Sequence, residues 1–467
     1  MEDDDEIDIT IEELKAGRSK SGFYGKSSDH SNTINDDDCD VPENLIKPKE
    51  NNNNKKGCTF CSFNFNGWFS IINLVAGALG GGVLSFPDIL RNIGMVNGII
   101  CFIFVAISIY FSLDLLRRFV VDTKLFSYAS ITNATLGYFW LIMYSISSFI
   151  VYMMCIASYS KTLFQISDAI FEDLDNKPVA KFFYFFISYI IEVLLCIFTS
   201  NLSKIHIIST ICFCVFVIIL LQIIIEAIIN MAKETEFRYV SPFTITDGAN
   251  TWEKFLSVMS KINEFLVGFM SHSTFPTLLN FYHSPNDDIK TKKINKVQLI
   301  ILYIIYGLYT IFGLFYLGNN SGKKFRAFVK ESGNYIINIL FMIYLLSLIP
   351  IRYIIIRDNY TSVLKKDYLP AKIDIPITCI CILICNIIVY FLVQYEKNFM
   401  TDVFMNIFIA IFGVFISFVL PVINYVKLND KAKIRSIVGY IISGIFILIG
   451  IFSIIFYILQ WGKNEID

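Results

Sequence analysis

An all-α integral membrane protein of about eleven spans is the fold class this 467-residue sequence predicts, and three observations carry the prediction. Hydrophobic residues make up 55% of the chain, charged residues 17%, and the mean hydropathy is +0.58. Soluble domains sit nearer roughly 45–50% apolar and 25% charged. Apolar runs long enough to cross a bilayer recur from residue 68 to residue 461. Two of those runs are interrupted in the middle, where small residues replace bulky ones. The formal net charge of −1 gives no global attraction to nucleic acid.

The elements follow in chain order. Residues 1–66 open with Glu2-Asp3-Asp4-Asp5-Glu6, carry a second acidic run at Asp36-Asp37-Asp38 and a tract Asn51 to Asn54. So little apolar surface cannot repay the entropy of ordering, which predicts a disordered cytosolic tail. It has no basic n-region, so the first span, uncleaved, acts as the insertion signal. The rest, 67–463, reads as one transmembrane domain with spans at 68–94, 97–116, 138–166, 181–199, 205–230, 255–282, 297–318, 335–357, 376–395, 403–427 and 436–461.

Lys and Arg set the orientation. With a cytosolic N-terminus, Arg117, Arg118, Lys290, Lys292, Lys293, Lys296, Arg352, Arg357, Lys365 and Lys366 fall to inner loops, while Glu172-Asp173-Leu174-Asp175 falls outside. An odd span count places the C-terminus outside or in a lumen. All four Trp residues (Trp68, Trp140, Trp252, Trp461) lie at span ends, where amphipathic rings prefer to sit. None of the 11 Cys residues lies in an expected outer loop. Cys58-Thr-Phe-Cys61 reads as a weak metal or redox half-motif, as an S-palmitoylation site before the first span, or as coincidence. Asn319-Asn320-Ser321 is a glycosylation sequon on an outer loop.

The first interrupted span breaks at Gly77-Ala78-Leu79-Gly80-Gly81-Gly82, with Pro87 a turn beyond. The second breaks at Gly268-Phe269-Met270-Ser271-His272-Ser273, with Pro276 following. Unpaired backbone at membrane depth costs several kcal/mol per group unless it lines a cavity. Paired breaks in two halves point to the binding site of a secondary transporter. An enzyme lacks support, since neither HExxH nor a nucleophile elbow occurs, and a channel is disfavoured by the lack of a repeated charge ring.

Ionisable residues inside a membrane default to functional hypotheses. Glu192 lies mid-span, either as a proton site or as a neutral structural carboxyl. His272 lies in the second break, either coupling or gating, or capping freed carbonyls. Asp88 and Arg91 stand i,i+3 just past Pro87, as a gate or as a plain helix pair.

Several motifs together resemble the amino acid/auxin permease family of the APC superfamily, in its neutral amino-acid branch. The first span reads Asn73-Leu-Val-Ala-Gly-Ala-Leu-Gly80-Gly-Gly82-Val-Leu84-Ser-Phe-Pro87, similar to N-x-x-N-x-x-x-G-x-G-x-L-x-x-P. The sixth reads Gly268-Phe-Met-Ser-His272 and then Tyr282, like the family's F-x-x-C-H segment. Gly313-Leu-Phe-Tyr316-Leu-Gly318, Pro350 with Arg357, and Gly413 to Leu420-Pro421 follow in family order.

The resemblance implies a LeuT-like fold, a five-plus-five inverted repeat with one extra helix, and broken helices one and six at the substrate site. It implies transport of an amino acid, with Gly77, Gly80, Gly81, Gly82, Gly268, Phe269, Ser271 and Ser347 as binding residues, and no cofactor or metal. Two positions depart from the sodium-coupled members: Ala76 replaces an Asn, and Leu348, beside Ser347, replaces a Thr. Sodium wants a cage of oxygens, so a proton or no coupling ion is expected instead. The expected location is the plasma membrane or a vacuolar or lysosomal membrane. A membrane amino-acid sensor, using the tail for signalling, is the second class.

Overall fold

The computed structural model describes residues 65–170, 177–200, 204–233, 243–245, 248, 250–279, 287–317, 335–366, 369–394, 398–428 and 433–464. The expected tail up to residue 64, Cys58, Cys61, the Glu172–Asp175 loop, Tyr282 and the Asn319 sequon lie outside the described residues.

Helices stand at each expected span. The first is split into α1 (Phe65–Ala78) and α2 (Phe86–Ile93), joined by a 3-10 turn at Gly81–Ser85. The two apolar stretches bend by 61° at the break. Then come α3 (Met95–Thr123), α4 (Tyr128–Leu136), α5 (Tyr138–Ile170), α6 (Lys177–Phe198) and α7 (Ile205–Lys233). The sixth span is split into α8 (Thr251–Phe269) and α9 (Thr274–Leu279). After it run α10 (Asp288–Leu317), α11 (Tyr335–Val363) and α12 (Ala371–Gln394). The tenth span comprises α13 (Asn398–Phe408), two π-helical stretches at Ile409–Gly413 and Phe415–Val419, and α14 (Leu420–Leu428). Last comes α15 (Lys433–Asn464). Among the described residues, eight helices are long and apolar enough to cross a membrane, and the bent pair in the first span adds a ninth.

The outer surface confirms the membrane setting. Ile100, Ile103 and Ile107 on α3, and Ile211, Ile218 and Ile225 on α7, are exposed at helical spacing. Faces this apolar and this long belong against lipid tails. The protein is therefore a multi-pass integral membrane protein whose bilayer contacts are aliphatic stripes.

Local chemistry sets the ends. Gly94, at φ 88°, joins α2 to α3 in a conformation that L side chains rarely adopt. Asn250 caps α8: its side-chain oxygen accepts from Glu253 N at 2.9 Å, and its side-chain Nδ2 donates to Glu253 Oε1 at 3.2 Å.

Three expectations need correction. The second span does not stop at 116, because α3 continues to Thr123. Asp114 holds Arg117 at 3.0 Å and Arg118 at 3.1 Å along the helix, and Arg117 reaches Asp288 of α10 at 2.6 Å. These pairs let charged residues stay helical, with Arg117 fully buried, where the sequence suggested a loop. The stretch before the third span is also not loop: α4 starts at Ser127, whose hydroxyl accepts from Ser130 N at 3.2 Å, and ends at Gly137 at φ 91°. Finally, Arg352 and Arg357 are not loop cations, since both lie within α11. Arg357 bridges to Asp374 of α12 at 3.0 Å.

Candidate functional site

The two breaks meet. A Cβ at Gly82 would stand 2.9 Å from the backbone nitrogen of Gly268, and one at Gly268 would stand 2.3 Å from the Phe86 ring. Glycine is required here by close backbone approach. A Cβ at Gly77 would likewise run into the Leu278 side chain of α9. Around the contact, Phe86 packs edge-on to Phe265 at 4.8 Å and to Tyr306 at 5.4 Å, which ties α2, α8 and α10 into one aromatic cluster.

A helix end leaves its last carbonyls without intrahelical partners. At the end of α1, side chains from other helices reach the carbonyls of Gly77 to Gly80. Gly77 O accepts from Arg352 Nη1 at 3.0 Å, with the Thr274 hydroxyl oxygen 3.3 Å away. Ala78 O is 3.0 Å from the Tyr306 hydroxyl, which also stands 2.9 Å from Gly268 O and so bridges the two breaks. Leu79 O accepts from Arg352 Nη2 at 2.9 Å. Gly80 O accepts from Tyr344 at 3.4 Å and from Val83 N at 3.2 Å.

The second break differs. Ser271 O accepts from Phe275 N and Thr274 Oγ1, both at 2.9 Å. His272 is fully buried, with Nε2 3.1 Å from Ser112 Oγ and its ring 6.4 Å from that of Phe418. Its Nδ1 has no partner, and neither do the hydroxyls of Ser271 and Ser273. Ser273 faces the buried hydroxyls of Tyr144 and Tyr152 on α5, and no hydrogen bond of full geometry closes among the three.

A small cavity opens between the breaks. Its walls come from Gly82, from Tyr152, Cys155, Ser158 and Tyr159 of α5, and from Val267 and Met270; Arg352 and Met405 complete them. Of the residues the sequence assigned to substrate, Gly82 lines this cavity. Gly80 lies beside it, 3.1 Å in Cβ terms from Arg352 Nη2. Gly81 opens the 3-10 turn, and Phe269 packs at 5.0 Å against Tyr306. The Ser347 hydroxyl donates to Ile343 O at 2.7 Å along its own helix.

The ionisable candidates are dispersed. Glu192, buried on an unbroken α6, accepts from Ser188 at 2.9 Å, Ser160 at 3.3 Å and Asn386 at 2.6 Å, a closed network joining α5, α6 and α12. Asp88 and Arg91 lie on α2, with Arg91 Nε 3.4 Å from Asn92 Oδ1. The residue the sequence did not assign to the site is Arg352. Its signal was present: a cation with Tyr353-Ile354-Ile355-Ile356 after it sits inside an apolar run, which by default marks function.

The chain matches the family model described as transmembrane amino acid transporter protein over residues 65–461. No curated protein sequence matches it. Among solved structures it is similar to a manganese transporter of Eremococcus coleocola, in complex with an aromatic bis-isothiourea substituted compound. The TM-score is 0.56 at 13% identity, over 83% of this chain and 86% of that one. It is also similar to MHP1, a nucleobase-cation-symport-1 family transporter in a closed conformation with bromovinylhydantoin bound. There the TM-score is 0.53 at 9% identity, over 85% of this chain and 92% of that one. At these identities the likeness speaks for the fold alone.

Paired broken helices beside a small cavity, in a membrane protein that is helical throughout the described elements, give the chain the fold these solved structures share. By its family match, the chain belongs to the transmembrane amino acid transporter proteins. Its substrate class is accordingly the amino acids.

Proposed function

We propose that the protein moves neutral amino acids across a plasma, vacuolar or lysosomal membrane by alternating access, coupled to protons or to no ion rather than to sodium. The observation that carries this reading is the meeting of the two breaks at one cavity, with Gly82 against Gly268 N and Arg352 and Tyr159 in the wall. The first amides of the Gly81–Ser85 turn have no intrahelical acceptor and suit a carboxylate. The amino group would meet the oxygen-rich second break, where Ser271 Oγ and Ser273 Oγ are unpartnered. Buried polar atoms left open cost about 1–3 kcal/mol each, and a substrate with both charges would satisfy them. The cytosolic N-terminus, the outer C-terminus and the division into a tail and a 67–463 transport domain belong to the same proposal.

Uptake of labelled neutral amino acids by proteoliposomes tests it. Saturable uptake that competes across Ala, Ser, Leu and Gln, and that is unchanged when choline replaces sodium, supports the reading. Substrate-induced thermal stabilisation without flux would favour a sensor instead, and a steep sodium dependence would overturn the coupling assignment.

A further inference from the structure

Arg352 is 2% exposed and carries a charge that arginine does not lose in proteins. Among the described residues, no carboxylate stands within 4.0 Å of it. A buried charge without a partner is strongly destabilising, so something else must neutralise it. What surrounds the guanidinium is backbone oxygen and aromatic hydroxyl. Nη1 and Nη2 donate to Gly77 O at 3.0 Å and Leu79 O at 2.9 Å, Nε faces the Tyr159 hydroxyl at 3.4 Å, and the Tyr152 ring lies 5.9 Å away.

Gly77 O and Leu79 O are at the C-terminal end of α1, the negative end of its dipole. In transporters with broken helices, half-helix C-termini and unwound carbonyls are the groups that hold a coupling cation. Here an arm from α11 brings a cation to them. The guanidinium takes two of these carbonyls at once, and the other oxygens beside it are the hydroxyls of Thr274 and Tyr159.

We propose that Arg352 is a tethered cation that permanently fills the cation site at the end of α1, so that this site takes up and releases no ion during the cycle. The proposal rests on the transport reading for its role in the cycle, but the site itself can be tested without transport. If the guanidinium is the site's resident cation, truncating it creates a cation-binding site that the wild-type chain does not have.

Purified full-length wild type, Arg352→Ala and Arg352→Lys are compared in thermal unfolding and in proteoliposome uptake. The medium holds choline, sodium or a low concentration of guanidinium at constant ionic strength. The wild-type unfolding midpoint should not distinguish sodium from choline. Arg352→Ala should have a lower midpoint and uptake reduced about tenfold or more in choline, both recovering saturably with guanidinium or sodium, as ligand linkage requires. Arg352→Lys should keep the cation indifference of wild type. Should Arg352→Ala fail to accumulate, Arg352→Gln, which keeps a donor but drops the charge, should likewise lose uptake and stability in choline.

An Arg352→Ala protein that responds to no cation, or a wild type stabilised by sodium, overturns the proposal. So does an Arg352→Ala protein with a raised KM alone and no cation response, which would make Arg352 a ligand for the substrate carboxylate. If the cation-dependent midpoints appear while wild type moves no amino acid, the tethered cation stands and the transport reading falls.

Discussion

The two breaks begin from the same problem, a helix interrupted inside the membrane, and end differently. At the first, Gly77 O, Leu79 O and Gly80 O receive donors from α11 or from the next turn, and Ala78 O shares the single Tyr306 hydroxyl with Gly268 O. At the second, Gly268 O and Ser271 O are met, yet His272 Nδ1 and the Ser271 and Ser273 hydroxyls stay open. The first break is thus completed by the protein's own side chains. The second keeps hydrogen-bonding capacity in reserve. In the proposed transport cycle that difference gives the carbonyls at the end of α1 a structural part, and leaves the amides of the Gly81–Ser85 turn and the second break to the substrate.

The strongest way to break the comparison is to force the two apart. Gly268→Val adds carbons where the Phe86 ring leaves 2.3 Å. Overpacking of this kind costs about 1–3 kcal/mol, and a displacement of the site by an ångström can cost about a hundredfold in rate. Uptake should fall about that far while the protein still inserts, as read by surface labelling. Unchanged uptake would mean the breaks need not touch.

A smaller and sharper test concerns His272. If the open Nδ1 handles a proton during the cycle, His272→Gln should flatten the pH dependence of uptake between about pH 5.5 and 7.5, the range around imidazole titration. Glu192→Gln should leave that dependence nearly intact, because Ser160, Ser188 and Asn386 already hold its carboxyl in a closed network on a continuous helix. The reverse pattern would move proton handling to α6 and make His272 a cap on α9.

The smallest effect is expected at Ser273. Its hydroxyl closes no hydrogen bond, so Ser273→Ala should change thermal stability by less than about 0.5 kcal/mol. A modest rise in KM, with the unfolding midpoint preserved, would show that the open hydroxyl serves the substrate. A large loss of stability would show that it is structural after all.

Much of this was legible in the sequence, for identifiable reasons. Span positions follow from runs of Ile, Leu and Phe that only lipid can accommodate, and both breaks announce themselves through Gly, Ser and Pro. Arg352 was hidden because charge counting near a span end assigns every cation to a loop, although this one is followed by another turn of Tyr and Ile. Helix α4 was hidden because Tyr-Ala-Ser-Ile-Thr-Asn-Ala-Thr-Leu carries no long apolar run; Ser127 and Gly137 at its ends were the available signals. Spacing likewise cannot show the local bond from the Ser347 hydroxyl to Ile343 O. The π-helical stretches were invisible, since hydropathy is blind to whether a carbonyl bonds four or five residues ahead.

Those stretches have a mechanical consequence. Where the tenth span changes from α to π winding, Ile416 O accepts from Tyr128 of α4 at 3.1 Å, Ser417 O from Ser112 of α3, and Phe418 O from Ser443 of α15 at 3.0 Å. Three consecutive carbonyls thus point to three different neighbours around the helix circumference. A rod held at three bearings can neither spin nor slide without releasing all of them at once. The tenth span is thereby tied in register to α3, α4 and α15, and Ser112, which helps hold it, also faces His272.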